Sequence, residues 1–198
     1  MVYGGSATLD GVDASRTLGG VLLVSGYGAV FAGGADVESD GLQVSDGAGY
    51  GLLHSSATAR HANLVSRNNG EAGVWIQHCD GVELTGAGME VSANHLAGVI
   101  ATDSANIVVA DGRVNDTVLA TRVFGETGSV LVGDGVQVAD PSGPTTVRDL
   151  SLSGNSRVGL LLDLGGGTLD GFTVSGVVVD GSGAQLGAVA QGGAVVDG

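Results

Sequence analysis

The chain contains no lysine. All seven of its cations are arginine (Arg16, Arg60, Arg67, Arg113, Arg122, Arg148, Arg157), set against 21 Asp and Glu for a formal charge of −14. A Walker-type phosphate loop requires lysine and is excluded. Scattered arginines on so acidic a chain would repel a phosphate backbone or an anionic bilayer, so nucleic acid is not an expected partner. A glycan, another protein or a metal cation fits the charge better. The single cysteine, Cys79, rules out an internal disulfide. Two prolines and 4% aromatics leave a core of small and β-branched residues. No apolar run approaches the ~18 residues that span a bilayer. The start, Met1-Val2-Tyr3-Gly4-Gly5, lacks the basic and continuously apolar segments of a signal peptide. The extracellular or cell-surface location expected for such a chain would then call for a longer precursor.

What the chain has in abundance is glycine, 38 of 198 residues, in a composition 43% hydrophobic. That is ample apolar content for one domain over residues 1–198, in a chain that turns often. Apolar residues recur in three columns. Val74, Val99, Val123, Val147, Leu169 and Val195 are separated by 25, 24, 24, 22 and 26 residues. Val82, Ile107, Val130, Leu152, Val174 and Val196 are separated by 25, 23, 22, 22 and 22. Val24, Val44, Val65, Val91, Val114, Val138 and Leu160 are separated by 20, 21, 26, 23, 24 and 22. A shared period near 23 is the mark of a solenoid, each turn of which cannot bury its apolar face alone.

Within a turn the apolar pulses alternate, as in Val82-Glu83-Leu84 and Val136-Gln137-Val138, which is strand spacing and not helix spacing. Asp-Gly pairs at Asp10, Asp40, Asp46, Asp80, Asp111, Asp134, Asp170, Asp180 and Asp197 supply corner chemistry. The columns predict that Val91, Val99, Ile107, Val114, Val123 and Val130 point inward. The competing leucine-rich repeat template is met once, by Val147-Arg148-Asp149-Leu150-Ser151-Leu152-Ser153-Gly154-Asn155, and has no helix-forming half.

The Gly-apolar-x-apolar starts at Gly73, Gly98 and Gly159, with corner asparagines at Asn68, Asn94, Asn115 and Asn155, give the chain a repeat-level resemblance to the right-handed parallel β-helix family, the pectate-lyase-like superfold. The resemblance covers roughly residues 20 to 196. It implies an all-β solenoid of about eight coils with three short strands per coil, and stacked asparagines hydrogen-bonded at a corner.

The resemblance also implies polysaccharide chemistry, but the motifs that serve it are missing. The Asn-Thr-Asp, Asp-Asp, Gly-His-Gly and Arg-Ile-Lys elements of the superfold's hydrolases do not occur, although glycosidic cleavage needs two carboxyl groups. Nor do the arginines show a repeat in register with Asp or Glu. The remaining catalytic candidates are His54, His78 and Asp80, near His61, Cys79 and Glu83. Setting Leu52 over Val74 puts Ser56 over His78, so Ser, His and Asp could share a corner. The simpler reading is two surface histidines beside an Asp-Gly turn, with Cys79 a small filler. Trp75, between Val74 and Ile76, is expected to face outward, as a sugar-stacking platform or packed under a loop. No cofactor is expected. Calcium could bind at Asp36, Glu38 and Asp40, or at Asp103 and Asp111, but plain turn chemistry accounts for these residues as well.

The function expected is a structural or adhesive β-helix module of a surface or secreted protein, with glycan as one ligand. The alternatives are a polysaccharide lyase or glycoside hydrolase with a groove across the coils, and a self-stacking fibre or scaffold subunit. The strand-like close, Ala194-Val195-Val196-Asp197-Gly198, predicts a segment of a longer solenoid or end-to-end association.

Overall fold

A computed structural model of the chain describes residues 1–18, 26–124, 128–163, 172–180 and 186–191. Among these residues every regular element is a strand. Successive strands go in turn to three parallel sheets. The first sheet runs Val2–Tyr3, Ala29–Ala32, Leu52–Ser55, Val74–Gln77, Leu96–Thr102, Gly128–Ala139, Val158–Asp163 and Leu186–Gln191. The second runs Ser6–Asp10, Asp36–Asp40, Thr58–Ala62, Asp80–Thr85, Ala105–Ala110, Thr145–Arg148 and Phe172–Ser175. The third runs Asp13–Ser15, Gln43–Ser45, Val65–Arg67, Glu90–Ser92, Arg113–Asn115, Ser151–Ser153 and Val178–Asp180. One strand per sheet in each turn of chain makes a right-handed parallel β-helix with three strands per coil.

Strand alternation sets what enters the lumen. In Asp36–Asp40, Val37 and Ser39 are buried while the three acids face out, because successive side chains leave opposite faces of a strand. Val74, Val99, Val136 and Leu160 stack from the first sheet. Val82 and Ile107 stack from the second, and Val44, Val91, Val114 and Leu152 line the third; all are buried in one continuous core. Four of the six expected inward residues, Val91, Val99, Ile107 and Val114, are at most 1% exposed.

Val123 and Val130 are a correction. They lie in an antiparallel hairpin in which Val123 pairs with Ser129 and Arg122 with Val130, and the coil resumes where Val136 pairs with Val99 and Thr145 with Ile107. The hairpin preserves the apolar period but moves the columns on to the next sheet, until Val174 returns to the second. Val147 therefore belongs to the second sheet, Leu152 to the third, and Val138 and Leu160 to the first. Val65 is also one residue out, since Ser66 is the buried member of its strand. Asp134-Gly135 is not a corner: Asp134 lies within Gly128–Ala139 and is fully buried. Val24, Leu169, Asp170, Val195, Val196 and the close at 194–198 lie outside the described residues. The stretch that fits the leucine-rich template forms two strands of one coil, Thr145–Arg148 and Ser151–Ser153.

The repeated glycine has a packing cause. A Cβ on Gly28, Gly51, Gly73, Gly98 or Gly135 would meet the carbonyl oxygen of the next glycine in the column, ending at Gly159, at 2.5 to 2.8 Å. Beside this column runs a buried polar ladder. Asn69 donates through Nδ2 to Asn94 Oδ1 (2.8 Å), Asn94 Nδ2 to the Ser66 carbonyl (2.9 Å), and Asn155 Nδ2 to the Val114 carbonyl (3.0 Å). The expected ladder is thus present, but through Asn69 and not Asn68, and with Thr117 in place of Asn115; Thr117 Oγ1 donates to Asn155 Oδ1 at 2.7 Å. Asn68 instead donates outside to Asp46 (2.6 Å), and Asn115 to Asp116 (2.8 Å). Gly98→Ala should force its methyl against Val114 and to 2.7 Å from the Gly135 oxygen. The expected cost is about 1–3 kcal/mol, read as a lowered urea midpoint with unchanged m; an unshifted midpoint would mean that the corner yields.

Candidate functional site

The corner between the first and second sheets holds the sequence candidates. Strand register puts Ser55 beside Gln77 and Gln77 beside Thr102. The next residues, Ser56, His78 and Asp103, therefore stack on three successive coils, each with a positive φ of 48–53°. His78 is exposed, its Nε2 3.9 Å from Asp103 Oδ2. Asp80, also exposed, accepts a hydrogen bond from Asn106 Nδ2 at 2.6 Å. Ser56, His78 and Asp80, with Gly34, Ala35, Ala57 and Thr58, line a 270 Å³ hollow. The column has the order of a nucleophile, a base and an orienting acid. What it lacks is the short nucleophile-to-base hydrogen bond that activates a serine. Cys79, next to it, is buried in the core, where desolvation pushes its thiol pKa up.

His54 is not on the surface with His78. It points into the lumen with no exposure, and so does His61 from the neighbouring sheet. Their Nε2 atoms are 3.1 Å apart, His61 Nδ1 is 2.5 Å from Ser39 Oγ, and the Phe31 ring lies on both imidazoles at 5.3 and 5.8 Å. The signal was the register that sets Leu52 over Val74, since it also sets His54 over Ile76, at an inward position of the strand.

Trp75 faces outward, between the buried Val74 and Ile76. It is half-buried in a stack along the first sheet: Tyr27 lies parallel to Tyr50 at 5.5 Å, and Tyr50 meets Trp75 at 4.6 Å. Ala72, Ala97 and Ile100 pack against Tyr50 and Trp75, and the indole Nε1 donates to Thr102 Oγ1 at 3.4 Å. Burial, and then the charge of Glu71, push the Tyr27 phenol up.

A larger groove lies on the outer face of the second sheet. Pairing aligns Thr8, Glu38, Arg60 and Glu83 in one row across four strands. Arg60 reaches Glu38 at 3.6 Å and Glu83 at 3.7 Å. The arginine thus does stand in register with acids, contrary to expectation. Asp10, Asp40, Ala62 and Thr85 form the adjoining row, and the two rows border a 540 Å³ groove. The 22- and 23-residue steps from Glu38 to Arg60 to Glu83 were the available signal.

On the third sheet Arg67 and Arg113 both bind Glu90. Burial raises the Glu90 pKa, but hydrogen bonds from Arg113, Ser92 and Arg67 outweigh it and hold the carboxyl below its usual range. Of the acids considered for calcium, Asp36 accepts from Thr58 (3.0 Å), Asp40 from Asn63 (2.9 Å) and Asp111 from Arg148 (2.9 Å). Among the described residues no three His, Cys, Asp or Glu side chains are grouped to hold a metal, and no helix is long and apolar enough to cross a membrane. No protein-family model matches this chain, and no curated protein matches it.

Proposed function

We propose that the chain is a structural and adhesive β-helix module, akin to the pectate-lyase-like solenoids, that holds a neutral glycan along the outer face of its second sheet and serves at a cell surface or in a secreted protein. The observation that carries this is the in-register row Thr8, Glu38, Arg60, Glu83 bordering the 540 Å³ groove. Strand pairing spaces these groups by ~4.8 Å per coil, so a polymer lying along the axis meets a regular series of hydroxyl, carboxylate and guanidinium partners. Carboxylates accept sugar hydroxyls and the guanidinium donates to sugar oxygens. Four carboxylates, Asp10, Glu38, Asp40 and Glu83, against the one guanidinium of Arg60 disfavour a polyuronate.

Binding without turnover is favoured by where Arg60 sits. Glycosidic cleavage places the scissile bond between two carboxyl groups. Here the Arg60 side chain occupies the interval between Glu38 and Glu83. The test is a glycan array paired with assays for reducing ends and unsaturated products. Arg60→Ala is expected to weaken binding about tenfold or more, as loss of a charge-assisted contact of about 1.5 kcal/mol implies. His78→Ala and Asp80→Asn are expected to leave it unchanged. Release of either product would overturn the adhesive reading in favour of a hydrolase or lyase.

A further inference from the structure

We propose that the hydrogen-bonded pair His54 and His61 makes the N-terminal coils an acid-triggered element, which opens on protonation of the lumen while the later coils stay folded. The geometry leaves an added proton one place to go. With both rings neutral, one hydrogen serves the Nε2 to Nε2 contact of 3.1 Å, and Ser39 Oγ meets the other end of the chain at His61 Nδ1. The tautomer that leaves no buried N–H unpaired has His54 Nε2–H donating to His61 Nε2 and His61 Nδ1–H donating to Ser39 Oγ. The remaining lone pair is on His54 Nδ1, which is buried without a hydrogen-bond partner. A proton placed there creates a charged N–H with nothing to receive it, in a lumen walled by Phe31, Leu52 and Ile76.

Among the described residues no counter-charge faces the pair. Its own strands, Leu52–Ser55 and Thr58–Ala62, carry one other charged group, Arg60, which is exposed on the outer face. The packed strands Asp36–Asp40 and Asp80–Thr85 turn Asp36, Glu38, Asp40, Asp80 and Glu83 outward, and Ala29–Ala32 and Val74–Gln77 carry no charge. Arg67 of the third sheet is also exposed. Cys79 is the other titratable group in this part of the core, and its thiol is neutral here because burial raises its pKa.

Burial pushes His61 down to about 4, and burial followed by the charge of His61 pushes His54 well below the ordinary 6.5. The unfolded chain therefore takes up protons first. The contribution is fully present above about pH 6.5 and is lost as pH falls toward 4. For His61 alone the open form gains about tenfold by pH 5.5, and His54 adds in the same direction. Because a solenoid is stabilised coil by coil, the opening stays local.

Hydrogen exchange on the whole chain, corrected for intrinsic rates and run between about pH 7.5 and 4, tests this. Protection over residues 29–79 is expected to fall about tenfold by pH 5.5 while residues 145–163 hold. Replacing both histidines, His54→Leu with His61→Leu, should flatten that dependence. Should the double variant not fold, the wild-type profile alone decides: protection in 29–79 that stays level, or falls equally in 145–163, overturns the proposal.

Discussion

Ile107→Asp is expected to unfold the middle of the β-helix. Ile107 is 1% exposed, stacked between Val82 and Thr145, in a part of the lumen lined by Val91, Val99 and Val114. A carboxylate there has no cation to meet, and the penalty for an unpaired charge in such surroundings is several kcal/mol even after it protonates. That is a large fraction of the ~5–15 kcal/mol by which a domain of this size is stable. Loss of strand signal by circular dichroism, with protection lost first over residues 82–147, is the expected result. Ile107→Val, which only trims a methyl group, should cost about 0.5–1.5 kcal/mol. An aspartate variant as stable as the valine one would show that the lumen is wet at this level.

The second large effect is expected at Arg157. Its guanidinium makes a bidentate pair with Asp134, Nε to Oδ1 at 2.7 Å and Nη2 to Oδ2 at 2.5 Å, and Asp134 is fully buried. Asp134 pairs in register with Ala97, in the long strand that emerges from the inserted hairpin. The Arg157 N–H also donates to the Gly133 carbonyl at 2.9 Å. The ion pair thus fixes where the hairpin ends and the coil resumes. Arg157→Met leaves the Asp134 carboxylate buried and unpaired, at an expected cost of about 3–5 kcal/mol. Replacing both partners, Asp134→Leu with Arg157→Met, should recover most of that loss, since a well-packed apolar pair is often as stable as the ion pair it replaces. Urea midpoints of the three variants decide it. A single variant within 1 kcal/mol of the parent, on the order of an exposed surface pair, would mean that water reaches Asp134.

Much of the repeat was legible because it is written locally. Alternation in Val82-Glu83-Leu84 reads as a strand in any context, since side chains leave a strand on alternate faces. The coil length follows from how often such pulses recur, and Gly73 and Gly98 mark where the next coil comes too close for a Cβ. Three readings depended on more than local pattern. The hairpin at Ala120–Phe124 kept the apolar period while removing its residues from the coil, so periodicity alone assigned Val123 and Val130 to the core. The ladder chose Asn69 over Asn68 because only the former meets Asn94 from inside the corner. The groove row Glu38, Arg60, Glu83 becomes visible only once strands 22 and 23 residues apart are laid side by side.

By itself, then, the sequence determined the strand type, the coil length, the glycine column and the all-β solenoid, because each depends on neighbours within a few residues or on a simple recurrence. The tertiary structure alone decided which polar groups go inside. His54, His61, Asn94 and Asp134 are buried because partners on other strands or coils receive their hydrogen bonds or charge: His54 and His61 bond each other, Asn94 meets Asn69, and Asp134 meets Arg157. The cost of burying a polar group is set by whether such a partner is present. Stacking register, including the jump across the hairpin, is what brings those partners together.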